Sequence, residues 1–434
     1  MDGAGLASLL EGCWRLRELD LDDCLHHAVQ WVPPAMGHHG CLQRLLLHTS
    51  ALTSLSLAPA PASPDSPASA TAPLDSNARV TLDAATSMGN PSDLVYLPLS
   101  LRHLHLQCPS LQSLPESITS SLTHLSLVSC SSLPLLPPSI SLLSSLTSLT
   151  LDNCPLLSSL PHSLGSLSSV HSLRLVSLSS CAELPHTFGD LQSLRLLSLH
   201  HCGHLQHLPP SLPYLSSLRR LTIMHCDRLV SLPADFGQLE SLQELTVQHC
   251  HGLESLPPCA ASLSSLTRLL VTHCNRLSHL PASLGLLPSF KHLEISHLRL
   301  LSSLPASLSN MELLTLLSLD CCNSLTLLPP SLFHQPSLEH LSITNMQHPV
   351  LSSLPPDFGL HLPRLKELHL KEHDMAGHPR ALSLPASLPL LPSPQHPSLV
   401  AFSSLPSLPH DISALTSLLS LHVDGCYALT HLPP

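Results

Sequence analysis

The chain has 434 residues and a net charge of −11 with histidine neutral; 3% of its residues are aromatic and 11% charged. Only three of its 18 basic residues are lysine and they form no basic stripe, which argues against a nucleic-acid partner. Ser and Pro interrupt every leucine-rich stretch before 18 apolar residues accumulate, and the N-terminal MDGAGLASLLEGCW has no basic segment, so neither a transmembrane helix nor a secretory signal is expected.

Taken in order, residues 1–57 hold two irregular units, Leu16, Leu19, Leu21 and Cys24, then Leu42, Leu45, Leu47 and Ser50. Residues 58–100 are assigned to a flexible insertion. Within 58–93 the run APAPASPDSPASATAP is rich in Pro, Ala and Ser and offers nothing to a core. Ser63-Pro64 and Ser66-Pro67 fit proline-directed phosphorylation, although an unmodified spacer is the plainer reading.

Residues 101–373 form the regular block. Leu101, Leu104 and Leu106 restart the pattern, and over 122–345 it recurs every 24 residues. One column holds Leu127, Leu151, Leu175, Leu199, Ile223, Val247, Val271, Ile295, Leu319 and Ile343; a second holds proline from Pro137 to Pro329. The unit reads L-x-x-L-x-L-x-x-C-x-x-L-x-x-L-P-x-S-L-x-x-L. In L-x-L both leucines point to one side of a short strand. One such strand cannot bury its face, so coils must stack and fill a continuous interior. Growth by coils also removes the inference of two or three globular domains that this length would otherwise carry.

The second half of the unit predicts a short turn. Ser139, Ser163, Thr187, Ser211, Asp235, Cys259, Ser283, Ser307 and Ser331 stand two residues after each proline, and eight of these nine are good N-cap types. Apolar residues follow at i, i+3, such as Leu164 with Leu167 and Phe236 with Leu239. The expectation is a 3₁₀ or single-turn α segment on the convex side, capped by those side chains.

Beyond Ile343 the period loosens. Leu365, Leu368 and Leu370 mark another strand; residues 374–410 are a Pro-rich loop or degenerate repeat, with a coil near Leu399–Phe402; residues 411–434 are a final incomplete repeat containing Leu418, Leu421, Val423 and Cys426. Neither end supplies the polar cap that terminal repeats need. The expectation is a fragment, an incomplete gene model or a part of a larger assembly.

Of the 15 cysteines, Cys130, Cys154, Cys202, Cys226, Cys250, Cys274 and Cys322 share one column with Leu178, Leu298 and Met346. A position that accepts Cys, Leu and Met is apolar and inward, with the thiol a weak donor toward a turn carbonyl. Parallel rungs about 4.8 Å apart do not bring Cβ atoms to the roughly 3.5–4.5 Å of a disulfide. Reduced thiols and a cytoplasmic location are therefore expected.

A fixed 24-residue period with this unit is the leucine-rich-repeat signature. With Cys where many families place Asn, it resembles the repeat regions of plant nucleotide-binding disease-resistance proteins and short intracellular leucine-rich-repeat scaffolds. The resemblance covers about 101–373. It implies an α/β repeat solenoid, curved, with a parallel sheet on its concave face, 3₁₀ turns and loops on its convex face, and protein recognition as its use. No G-x-x-x-x-G-K-[ST] loop is present, so a nucleotide switch is not implied for this chain.

A histidine column stands out: His201, His225, His249, His273 and His297, each one residue before the inward column. It is expected at the outward C-terminal end of the strands. Three readings stand side by side: a solvated position multiplied by duplication, a partner-binding and pH-sensitive face, and a metal-binding strip. Inward cysteines and outward histidines cannot ligate one ion, and no metal ligand or cofactor is assigned. Around the ladder, Thr222 and Thr246 lie between strand leucines, with Arg219, Arg220, Glu244 and Arg268 just before the strands. These residues are the candidate partner-binding set.

The motifs G-x-S-x-G, H-E-x-x-H and C-x-x-C are absent. The expected function is a non-enzymatic scaffold that binds protein on the concave face, without nucleic acid or membrane insertion. The alternatives are the sensing region of a disease-resistance-type immune receptor and the substrate-recognition arm of an enzyme such as a ubiquitin ligase.

Overall fold

The computed structural model describes residues 100–114, 121–258, 262–346 and 357–372, together with short pieces at 15–21, 42–48, 54–57, 94–97, 354–355, 396–400 and 422–424 and a few single residues. Ser63, Ser66, Cys259 and most of 374–410 lie outside them.

The strands are β1 (Glu18–Leu21), β2 (Arg44–His48), β3 (Ser54–Leu57), β4 (Leu94–Leu97), β5 (His103–Gln107) and β6 (His124–Val128). Then come β7 (Ser148–Asp152), β8 (Ser172–Val176), β9 (Leu196–His200), β10 (Arg220–Met224), β11 (Glu244–Gln248) and β12 (Arg268–Thr272). The series ends with β13 (His292–Ser296), β14 (Leu316–Asp320), β15 (His340–Met346), β16 (Glu367–Glu372), β17 (His396–Val400) and β18 (His422–Asp424). Among the described residues, sixteen of them form one parallel sheet in chain order, while β3 and β4 pair separately. Strand-forming residues thus resume at Leu94, inside the span 58–100, because Leu94–Leu97 finds Ser54–Leu57 as a partner in register.

From β6 to β15 each residue pairs with the one 24 later, as in Leu221↔Leu245 and Ile223↔Val247. That register is the sequence period made physical: a slip of one residue would turn every strand leucine outward. Leu127, Leu151, Leu175, Leu199, Ile223, Val247, Ile295, Leu319 and Ile343 are all essentially inaccessible to solvent. Few aromatics are needed; Phe188, Phe236, Phe290, Phe333 and Phe358 are the largest fully buried side chains. The solenoid is a leucine-rich-repeat fold, with the sheet on the concave face and 3₁₀ segments such as His162–Ser166 and Ala282–Leu286 on the convex face.

The expected caps are not made. Most of these segments begin at the proline itself, with Pro137, Pro161, Pro185, Pro281 and Pro305 extended at the N-cap and no side-chain cap bond. Three of the hydroxyls instead reach back one coil. Ser163 Oγ donates to Pro138 O at 2.5 Å, Thr187 Oγ1 to His162 O at 2.5 Å and Ser307 Oγ to Ala282 O at 2.6 Å. Three-residue to five-residue 3₁₀ segments leave little helix to cap, whereas the neighbouring coil offers a carbonyl within reach.

The inward cysteines bond across coils in the same way. Cys154 Sγ lies 3.5 Å from Asp152 O and 3.9 Å from Leu127 O, and Cys250 Sγ lies 3.4 Å from Gln248 O and 3.8 Å from Ile223 O. Gln335 takes a column position held elsewhere by Leu167, Leu191, Leu215, Leu239 and Leu287. It is fully buried; its Nε2 donates to Leu308 O at 2.8 Å, and its Oε1 has no partner.

Candidate functional site

The rim of the sheet begins where each strand stops. Ser129, Asn153, Ser177, His201, His225, His249, His273, His297, Cys321 and Asn345 all have φ between 50° and 56°. Left-handed backbone favours Asn, His and small polar residues over branched ones, which explains the types found there. The five histidines keep their N–H groups in use: His225 N donates to Gln248 O at 2.9 Å, His249 N to Thr272 O at 2.9 Å and His297 N to Asp320 O at 2.9 Å. The five histidines therefore stand one residue past the strands, fixed by a backbone ladder.

That placement turns the column into a stack rather than a row of separate solvated groups. His201 and His225 have ring centroids 4.3 Å apart at 6°, His225 and His249 4.3 Å at 7°, His249 and His273 4.1 Å at 17°, and His273 and His297 4.1 Å at 10°. His251 meets His249 edge-on at 6.1 Å. His201 is exposed and the other four are half-buried. Partial burial first, then the neighbouring imidazoles, push the pKa of His225 and His273 below the ordinary histidine value. Beside the stack, burial and Arg174 lower His200 likewise.

The rest of the candidate set is divided. Thr222 and Thr246 are register partners at the middle of β10 and β11, facing out of the sheet. Arg220, Glu244 and Arg268 are the first residues of their strands, and only Arg219 precedes one. Arg220, Glu244 and Arg268 are not free charges. Arg220 pairs with Glu244, holding its carboxyl below the usual range, and Arg268 Nη2 lies 2.5 Å from Glu294 Oε1. Because these pairs are partly exposed, each contributes roughly 0–1 kcal/mol. They lie along the opposite edge of the sheet from the histidines, so the structure joins the set through one face but not into one cluster.

One residue of the rim was missed by reading the column as histidine alone. A further step of 24 from His297 lands on Cys321, which shares the left-handed backbone of the ladder. The separation of inward thiols from outward imidazoles holds for Cys322, which is buried with Sγ 3.5 Å from Asp320 O, but not for Cys321, which is half-exposed beside His297. A groove of about 630 Å³ lies elsewhere, at the Leu-Pro corners, lined by residues including His162, Glu183, His186 and His207. Its one acid is Glu183, so it adds no carboxylate pair.

Residues 158–276 match the family model described as leucine-rich repeat region. A comparison with curated protein sequences finds no match. Among solved structures, the leucine-rich-repeat protein LIC12759 of Leptospira interrogans is similar, with a TM-score of 0.65, 24% identity, and coverage of 97% of this chain and 93% of that one. The leucine-rich-repeat domain of the type III effector XopL gives a TM-score of 0.44 and 26% identity over 49% of this chain and 72% of that one. Toll in its complex with Spatzle, from Drosophila, gives 0.45 and 18% over 78% and 50%. Among the described residues no helix is long and apolar enough to cross a membrane.

Proposed function

We propose that this leucine-rich-repeat solenoid is a non-enzymatic scaffold that captures a polypeptide on its concave sheet, centred on the His201–His297 stack. The observation that carries the reading is a contrast within one repeat. The inward columns are nearly constant, while outward positions change from coil to coil: Ser126, Thr150, Arg174, Ser198, Thr222, Thr246, Leu270, Glu294 and Ser318. A face of small hydroxyls, bounded by imidazoles on one edge and by Arg and Glu pairs on the other, suits main-chain and side-chain hydrogen bonding to a peptide.

The test is a His225→Ala, His249→Ala, His273→Ala triple variant, compared with wild type for capture and crosslinking of partners identified by mass spectrometry. Intact folding with loss of a partner supports the reading; undiminished capture removes the stack from it. The location we favour is the cytoplasm, since buried thiols hydrogen-bonded to backbone carbonyls suit a reducing compartment. The finer roles, immune sensing or substrate recognition for a ligase, are told apart by whether a nucleotide-binding or a catalytic domain is encoded with these repeats, which sequencing of the transcript decides.

A further inference from the structure

We propose that the end of the histidine stack is a binding site for a borderline-soft divalent cation of the zinc class, with His297 Nδ1, Asp320 Oδ2 and Cys321 Sγ as ligands. One ligand atom from each of these residues lies within 4.8 Å of the others. His297 Nδ1 is 3.7 Å from Asp320 Oδ2. Tetrahedral zinc with bonds of about 2.0–2.3 Å spaces its ligands roughly 3.3–3.7 Å apart, so small side-chain rotations complete the geometry.

Each ligand is held for the purpose by something else. The His297 ring is clamped by stacking on His273, and its Nδ1 is shielded from solvent without a hydrogen-bond partner. Asp320 uses its other oxygen for support: Thr344 Oγ1 donates to Oδ1 at 2.6 Å and Asn345 Nδ2 at 2.7 Å. Fixing the outer oxygen of a ligating carboxylate in this way is how outer-shell groups orient a metal ligand. Cys321 owes its outward thiol to the left-handed backbone at φ 50°, and its N–H is tied to Thr344 O at 3.1 Å. Nitrogen, oxygen and sulfur donors together suit zinc and disfavour magnesium or calcium, which take oxygen.

The charges close. A neutral imidazole, a carboxylate and a thiolate carry −2 against the +2 ion. Without the ion the Cys321 thiol keeps its proton, as cysteine ordinarily does near neutral pH. Binding forms the metal–sulfur bond and releases one proton to solvent. Three protein ligands leave the fourth position open, as in zinc sites that take an exogenous group.

The experiment is a titration of the chelator-treated full chain with zinc alone, by calorimetry, and with cobalt, by absorption. The expected result is saturable binding with a thiolate-to-cobalt charge-transfer band. Cys321→Ser and Asp320→Asn each abolish the band and weaken zinc at least about 100-fold, and Thr344→Val weakens it about 10–100-fold. His225→Ala, within the stack, and His361→Ala, in the separate His334–Asp357–His361 group, leave the band and this affinity in place. Absence of the band in wild type, or a band and affinity unchanged in both Cys321→Ser and Asp320→Asn, overturns the proposal. Circular dichroism on every variant separates lost ligation from lost fold.

Discussion

His249 and His273 are 24 residues apart in the chain, yet their rings lie 4.1 Å apart and within 17° of parallel. Two members of this stack, His225 and His273, have neighbours that disfavour the charged ring. Burial and neighbouring rings lower the pKa of His225 and His273. A lowered histidine pKa means that the unfolded chain takes up protons first. Its contribution to stability is present above the ordinary histidine pKa of about 6.5 and is lost as pH falls below that value. Urea midpoints measured at successive pH values should therefore decline below about pH 6.5, and the decline should be shallower in the His225→Asn, His273→Asn variant, where Asn tolerates the left-handed backbone. An identical pH profile in the variant would refute a role for His225 and His273 in that decline.

The convex hydroxyls fall into two classes with opposite predictions. Thr187 Oγ1 donates to His162 O in the preceding coil. Thr187→Val removes that bond while keeping the volume and should cost about 0.5–1.5 kcal/mol. Ser139 Oγ and Ser283 Oγ are buried with no hydrogen-bond partner. Ser139→Ala and Ser283→Ala should leave stability unchanged or raise it. Denaturation midpoints of the three variants decide; a loss at Ser283 as large as that at Thr187 would refute the distinction.

Gln335 occupies a leucine column with its Oε1 unsatisfied. Gln335→Leu removes the orphan acceptor, and Leu308 O still accepts from Met311 N at 3.3 Å. The variant should be more stable by about 1 kcal/mol, read as a higher midpoint in urea. A lower midpoint would mean that the Nε2 bond to Leu308 O outweighs the unpaired oxygen.

Gly285 sits where the next coil comes close. A Cβ built there would lie 1.9 Å from Ser307 O, a backbone atom that cannot swing aside. Gly285→Ala should destabilise by about 1–3 kcal/mol. Gly203, with open space around the same addition, is the matched control. Because stability in stacked coils is shared between neighbours rather than held by one core, local hydrogen exchange around Leu284–Ser307 is the sensitive readout.

Much of the molecule could be read from the chain because periodicity is a property of sequence. A step of 24 residues fixes which residues become neighbours in adjacent coils, and the alternation in L-x-L decides which of them face inward. Leu199, Ile223 and Val247 could go nowhere else once stacking was granted. The unshifted step from His297 to Cys321 was equally available; assigning the column by residue type hid it.

What the period could not decide is how a polar side chain chooses between partners on its own coil and partners on the next. That choice rests on distances of a few tenths of an ångström and on backbone dihedrals. The left-handed turn after each strand brings imidazoles face to face and points Cys321 outward while Cys322 points in. The nearness of adjacent coils gives Ser163, Thr187 and Ser307 a carbonyl to bond in place of a helix end. Both follow from three-dimensional packing of coil against coil, which no single repeat contains.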